Sequence, residues 1–422
     1  MPTKSNKSSE SKATEEFKHT VDEKGRIAAF SEKMVDLPPE VDLPLLGSRM
    51  RIWKQDPAVT GIELPRTVYI HTLVDDGPSD SQIAIKGLPT VVPDINRDFL
   101  INPSSEEAFD AVHTYAVVRQ VLTMYQRVLG EKLNWQWNKG ANEEVLQVYP
   151  HAGVAENAFY SRDEKVLKFF FFNPRRQPVG TPKVFTCRSL DIVAHETGHA
   201  VLDSLKPHWI ESEKAQTGGL HEAFGDLTSI FLILSQLDQV EYIIAETKAD
   251  LHRKSILVAL AEQFGLGLDP KRFPQGLRNA DNDLKLSEVS PEVHAVSQVF
   301  TGAVFDILAD VFAANRKPRF RDDAEVLYEA GKYMTSLTIR AFIAAPDENA
   351  SFADVGKKMI EIVKADGHEN YAQFVEKHFT VREVLGVHTF AGVDLSDLGL
   401  PANRCGCCGT MQRPEYLQFL KR

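Results

Sequence analysis

The sequence predicts a mixed α+β fold, with a strand-rich N-terminal half and a mainly helical C-terminal half. Three observations carry this expectation. Short runs rich in β-branched and aromatic residues, TVYIHTLV (Thr67 to Val74) and NAFYSRDEKVLKFFFF (Asn157 to Phe172), fall in the first half. Apolar residues at helical spacing fill Ser105 to Leu129. From Ser189 to about Leu385 the chain reads as one long helical segment after another. At 422 residues the chain is too long for one ordinary core, so two or more packed units are expected.

Taken in order, residues 1–25 are rich in Ser, Lys and Glu with almost no apolar content, and read as a disordered tail. Residues 26–65 are punctuated by proline, as in DLPPEVDLPLLG, and read as an extended arm packed on a body. A strand-rich N-terminal domain is expected over 66–190, opening with TVYIHTLV as a strand. Within it, Phe109, Val112, Tyr115, Ala116 and Leu122 follow a serine-rich start and predict a long helix. NAFYSRDEKVLKFFFF reads as a hairpin, with SRDE as the turn and VLKFFFF as a mostly buried strand. A helical domain is expected over 191–390, and a tail over 391–422.

Composition narrows the class. Hydrophobic residues make up 43% and charged residues 25%, the balance of a soluble globular protein. A net charge of −11 argues against a nucleic-acid partner, which calls for a basic face. No apolar run comes near the ~18 residues of a membrane span; the longest lies around SIFLIL (Ser229 to Leu234). The first residues are polar and lysine-rich without an apolar core, so a secretory signal peptide is not expected. Of four cysteines, three sit in CGCC (Cys405, Cys407, Cys408) and Cys187 stands alone, which is no disulfide framework. A reducing, cytoplasmic setting is the simplest reading, with non-classical secretion as the alternative.

The chemistry starts at DIVAHETGHA, Asp191 to Ala200. On a helix, His195 and His199 lie one turn apart on a stripe with Ile192 and Leu202, while Gly198 and Ala200 let another backbone come close. Two neutral imidazoles so spaced can bind one zinc ion, with Glu196 beside them as a base for water. In a chain with 13 histidines, one chance HExxH has a probability on the order of a few per cent, so a third ligand is needed. LHEAFGD (Leu220 to Asp226) supplies one. Glu222 completes a His, His, Glu set, and Asp226, one turn on, can accept the outer N–H of a ligand histidine.

Together with three further segments, these motifs resemble the thermolysin-type zinc metallopeptidases, the gluzincins with a glutamate third ligand. NAFY is similar to that family's substrate-binding edge strand, LRNADND (Leu277 to Asp283) to its Leu-Arg segment, and EVHAVSQVFTGAVFDIL (Glu292 to Leu308) to its histidine helix. The resemblance runs from about Ser105 to Leu385. It implies a two-domain fold with the HExxH helix between a strand-rich and a helical domain. It implies one zinc ion on His195, His199 and Glu222, Glu196 as general base, and Asp226 behind a ligand histidine. His294 then stabilises the oxyanion, Arg278 holds a substrate carbonyl, Leu277 lines a hydrophobic specificity pocket, and Asn157 with the Ala158 backbone holds the substrate strand. The partner is a peptide or protein substrate; oligomeric state is left open.

The sequence also departs from the family. Between His199 and Glu222 lie 22 residues, a longer connection than expected, and it lacks the family's oxyanion tyrosine; His208 and Trp209 are the nearest substitutes. Near the histidine helix the acids are Glu288 and Glu292, neither in clean alignment with the family's orienting aspartate. Asp191 stands where the family binds calcium, but LTSIFLIL is apolar where further oxygen ligands are needed, so calcium is not supported. The N-terminal arm is either a short pro-segment or an ordered arm. CGCC lacks the two-residue gap of common zinc pairs, leaving an exposed thiol cluster or a thiolate cap on the metal. The expectation is therefore a zinc endopeptidase. The alternatives are an aminopeptidase of the wider group and a zinc-bearing scaffold without catalysis.

Overall fold

The computed structural model describes residues 47–57, 65–138, 143–385, 394 and 396–398. The expected disordered tail, most of the arm and the CGCC tail lie outside these residues. The chain divides into two units, Met1–Leu45 and Leu46–Arg422, and the account below concerns the second.

Strands dominate its first part. β1 (Ser48–Ile52) and β2 (Arg66–Ile70) pair antiparallel, Met50 opposite Val68. In SRMRI, Ser48, Met50 and Ile52 are buried while Arg49 and Arg51 face outward, the period of a half-buried strand. The expected strand at Thr67 to Val74 is thus shorter, stopping before His71.

β3 (Ile83–Ile85), β4 (Leu146–Tyr149), β5 (Ala158–Ser161) and β6 (Val166–Phe169) form a sheet in the order β3-β4-β6-β5. β5 and β6 pair antiparallel as the expected hairpin, Ala158 opposite Phe169, so β5 is an edge strand with no further strand beyond it among the described residues. The turn falls at 162–165, where Lys165 adopts φ 58°. The run VLKFFFF is not one strand. It breaks at Phe170, whose N–H goes to the Thr186 hydroxyl at 2.9 Å, and β7 (Phe171–Phe172) pairs instead with β8 (Val184–Phe185).

The long helix α1 spans Glu106–Leu129. Glu106 and Glu107 in its first turn and Arg127 in its last favour the helix dipole, and Gly130 at φ 73° closes it in the left-handed conformation. The later part is α2 (Leu190–Leu205), α3 (Ala215–Leu234), α4 (Leu237–Thr247), α5 (Glu262–Leu268), α6 (Val293–Asn315), α7 (Asp323–Ala344), α8 (Phe352–Ala365) and α9 (Glu369–Val381). The exception to the helical reading is a two-residue ladder between β9 (Ala259–Leu260) and β10 (Arg278–Asn279).

Two helices set the site. All 20 residues of α3 are buried, because α2 and α6 pack against it along its length and α7 and α8 add to the cover. α2 lies between α3 and the strand-rich part, touching α1, β5 and β6. Its far end is tied to the hairpin by Asp203, which accepts from the Tyr160 hydroxyl at 2.7 Å and from the Arg162 guanidinium. α6 is long and apolar enough to cross a membrane by length and composition, and 78% of its apolar window is buried within the protein, as a core helix requires.

Candidate metal centre and active site

Close approach of α2 and α3 brings the motif residues together. The small residues foreseen on α2 are what permit it. A Cβ on Gly198 would stand 2.6 Å from Thr228 Oγ1, and one on Gly225 would stand 2.7 Å from the His195 ring. With both positions bare, His195 and His199 of α2 face Glu222 of α3.

The three donors converge. His195 Nε2 lies 3.0 Å from His199 Nε2 and 3.4 Å from Glu222 Oε2, and His199 Nε2 lies 3.7 Å from Glu222 Oε1. Zinc bonds of about 2.0–2.2 Å in tetrahedral geometry place neighbouring donors roughly 3.3 Å apart, so this set fits that ion. Burial sharpens the point. His195, His199 and Glu222 are 3%, 0% and 1% exposed, and both Glu222 oxygens lack a hydrogen-bond donor. Leaving buried acceptors unmatched is costly, and a cation among them removes the cost.

The outer nitrogens are held in the matching sense. His195 Nδ1 lies 2.9 Å from Asp226 Oδ1, and as the carboxylate can only accept, Nδ1 carries the proton and Nε2 keeps its lone pair. Arg278, from β10, donates to the same Asp226 oxygen through Nε at 3.0 Å and Nη2 at 2.6 Å. Although burial pushes the Asp226 carboxyl up, Arg278 and His195 hold it below its ordinary value.

His199 uses a partner that sequence reasoning missed. Its Nδ1 is 2.7 Å from Nδ1 of His221, a fully buried histidine one residue before Glu222. Only one of two facing nitrogens can carry a hydrogen. If His199 is to offer Nε2 to a metal, His221 must accept through Nδ1. Burial keeps His221 neutral, its pKa lowered to about 4. The signal was in plain view as the histidine of LHEAFGD.

His294, at the start of α6, joins the group with Nε2 3.3 Å from Glu222 Oε2. Its Nδ1 lies 2.6 Å from Glu292 Oε1, while the other Glu292 oxygen caps α6 by accepting from Ala295 N–H at 3.0 Å. Glu292 therefore fills the orienting place that the sequence left without a clear occupant. Burial opposes charge on His294, but Glu222 and Glu292 raise its pKa. Glu222 in turn is pushed up by burial, yet the imidazoles of His294, His199 and His195 hold it well below the usual carboxylate range.

The remaining expected residues sit as follows. Glu196 is 0% exposed on α2, between the two histidines in sequence. Ala158 opens edge strand β5, with Asn157 immediately before it, and β5 packs against α2. Leu277 is 6% exposed, its N–H donated to Leu260 O at 2.9 Å. Neither substitute for the missing tyrosine is available. Trp209 donates its Nε1–H to Pro346 O at 3.0 Å, and His208 is exposed while the centre is buried. Asp191 faces Asp56 and Glu262, and burial first, then these acids, raises its pKa to about 8.

No family model matches the chain, and no curated protein matches it. Among solved structures, the chain is similar to the precursor of protealysin, a metalloproteinase from Serratia proteamaculans, at 16% identity and a TM-score of 0.44, over 74% of this chain and 87% of that one.

Proposed function

We propose that this chain is a zinc-dependent endopeptidase of thermolysin-like design. The observation that carries the reading is the buried convergence of His195, His199 and Glu222, each outer imidazole nitrogen already engaged. A purely structural zinc site is usually closed by four protein ligands. Here three donors converge, and the surplus groups around them are a carboxylate and an imidazole, the types that move protons.

His195, His199 and Glu222 would hold the zinc ion, which would supply a Lewis acid to polarise a carbonyl and lower the pKa of water. Glu196 takes the proton of the attacking water and passes it to the leaving amine. His294 donates Nε2–H to the oxygen on which charge develops, with Glu292 fixing its Nδ1 proton. Asp226 holds His195 in the Nδ1–H tautomer, and Arg278 holds Asp226. Substrate lies along edge strand β5 by main-chain hydrogen bonds from Asn157 and Ala158, and Leu277 favours an apolar side chain after the scissile bond. Arg278 also offers a donor to a substrate carbonyl.

Because the centre is almost fully buried, peptide reaches it only when the site opens. The test is hydrolysis of casein and of a quenched-peptide panel, by the full chain and after limited proteolysis, with and without chelator. Chelator-sensitive cleavage before apolar residues supports the reading. Bound zinc without cleavage in either form favours the scaffold alternative, and release of single N-terminal residues favours an aminopeptidase.

A further inference from the structure

Away from the metal centre, a cavity of about 590 Å³ opens between β2, the C-terminal half of α1, the end of α3 and α7. Its size falls among small-molecule sites, roughly 300–1,000 Å³. Ile70, Phe231 and Leu234 give it an apolar, buried floor. Arg127 and Lys332 stand on its walls, and no aspartate or glutamate lines it among the described residues. That local sign is opposite to the chain's net charge of −11.

The two cations are also unspent. Arg66 on β2 and Arg119 on α1, by contrast, are paired with Asp238 and Asp80. Arg127 and Lys332 have no such ion pair among the described residues. The Arg127 charge is felt locally. His71, also on the wall, has its pKa lowered by burial and then by the Arg127 charge. Gln120 adds a neutral polar contact, its Oε1 buried without a donor.

We propose that this cavity binds a small amphiphilic organic anion, a carboxylate whose apolar body lies on Ile70, Phe231 and Leu234 and whose charge meets Arg127 and Lys332. An anion gains charge-assisted hydrogen bonds from both cations, and the floor gains apolar cover. The site is separate from the metal centre, and binding does not depend on peptidase activity.

The probe is 4-phenylbutyrate, compared with its neutral amide and with the corresponding amine, titrated calorimetrically into the full chain at low ionic strength. The acid is expected to bind at least about tenfold more tightly than the amide, with no binding of the amine. In an Arg127→Gln, Lys332→Gln double variant, acid affinity falls about tenfold while the melting temperature stays unchanged, since both side chains are exposed. Equal affinity for acid and amide overturns the proposal, as does an unchanged double variant or no detectable binding of the acid.

Discussion

His221 decides whether His199 can serve as a ligand, since the contact between their Nδ1 atoms fixes which one carries the hydrogen. Replacing His221 with alanine is expected to weaken zinc binding about 10–100-fold. Asparagine, whose side-chain oxygen can stand near the place of Nδ1, should restore most of it. Competition with a chromophoric chelator measures both, and unchanged affinity in the alanine variant removes His221 from the account. Glu292 has two roles, one oxygen capping α6 and the other holding His294 Nδ1. As the cap of α6 it is worth about 1 kcal/mol, so Glu292→Ala should lower unfolding stability by that amount in denaturant titrations. The ligand residues were legible because HExxH, and Glu222 with Asp226 one turn on, state a spacing. The roles of His221 and Glu292 were not, because they rest on a contact across helices and on a cap whose other oxygen meets His294.

At the scale of elements, the α2–α3 crossing is the feature on which the centre rests. Gly225→Ala drives a methyl group into the His195 ring, where a Cβ stands 2.7 Å from Nδ1. Overpacking of this kind costs about 1–3 kcal/mol, and here it should also weaken zinc binding by displacing a ligand. A variant with wild-type melting temperature and zinc affinity contradicts that view of the crossing. Asp191, in the first turn of α2, gives a pH test. Its carboxyl titrates near 3.8 unfolded and about 8 folded, so the folded state binds more protons between those values. Stability from this group is therefore full at low pH and is lost as pH rises through that window. Asp191→Asn should melt increasingly above wild type from pH 5 to pH 8; a constant difference would count against the buried, repelled carboxyl. Helical elements were legible as lengths and periods. Strand ends were not. Nothing in TVYIHTLV marks the stop at Ile70, and VLKFFFF hides a break where the Phe170 N–H turns to the Thr186 hydroxyl and β7 pairs with β8.

At the scale of the whole molecule, strands come first and helices after, as the sequence predicts, and α2 sits where one part meets the other. That order was readable because β-branched runs and helical periodicities are segregated along the chain. The burial of the centre was not readable, since it depends on how α1 and α3 close on α2 and how α6 packs on α3. Such a centre binds metal only in the folded state, so a chelator should lower the melting temperature and added zinc should raise it. The central claim is that His195, His199 and Glu222 hold one zinc ion for which Glu196 is the base. Zinc content and peptide turnover, measured together on wild type, Glu222→Ala and Glu196→Gln, test it most directly. The account predicts one zinc in wild type, loss of zinc and turnover in Glu222→Ala, and retained zinc with abolished turnover in Glu196→Gln. Turnover surviving in Glu196→Gln, or zinc retained at full affinity in Glu222→Ala, would contradict it.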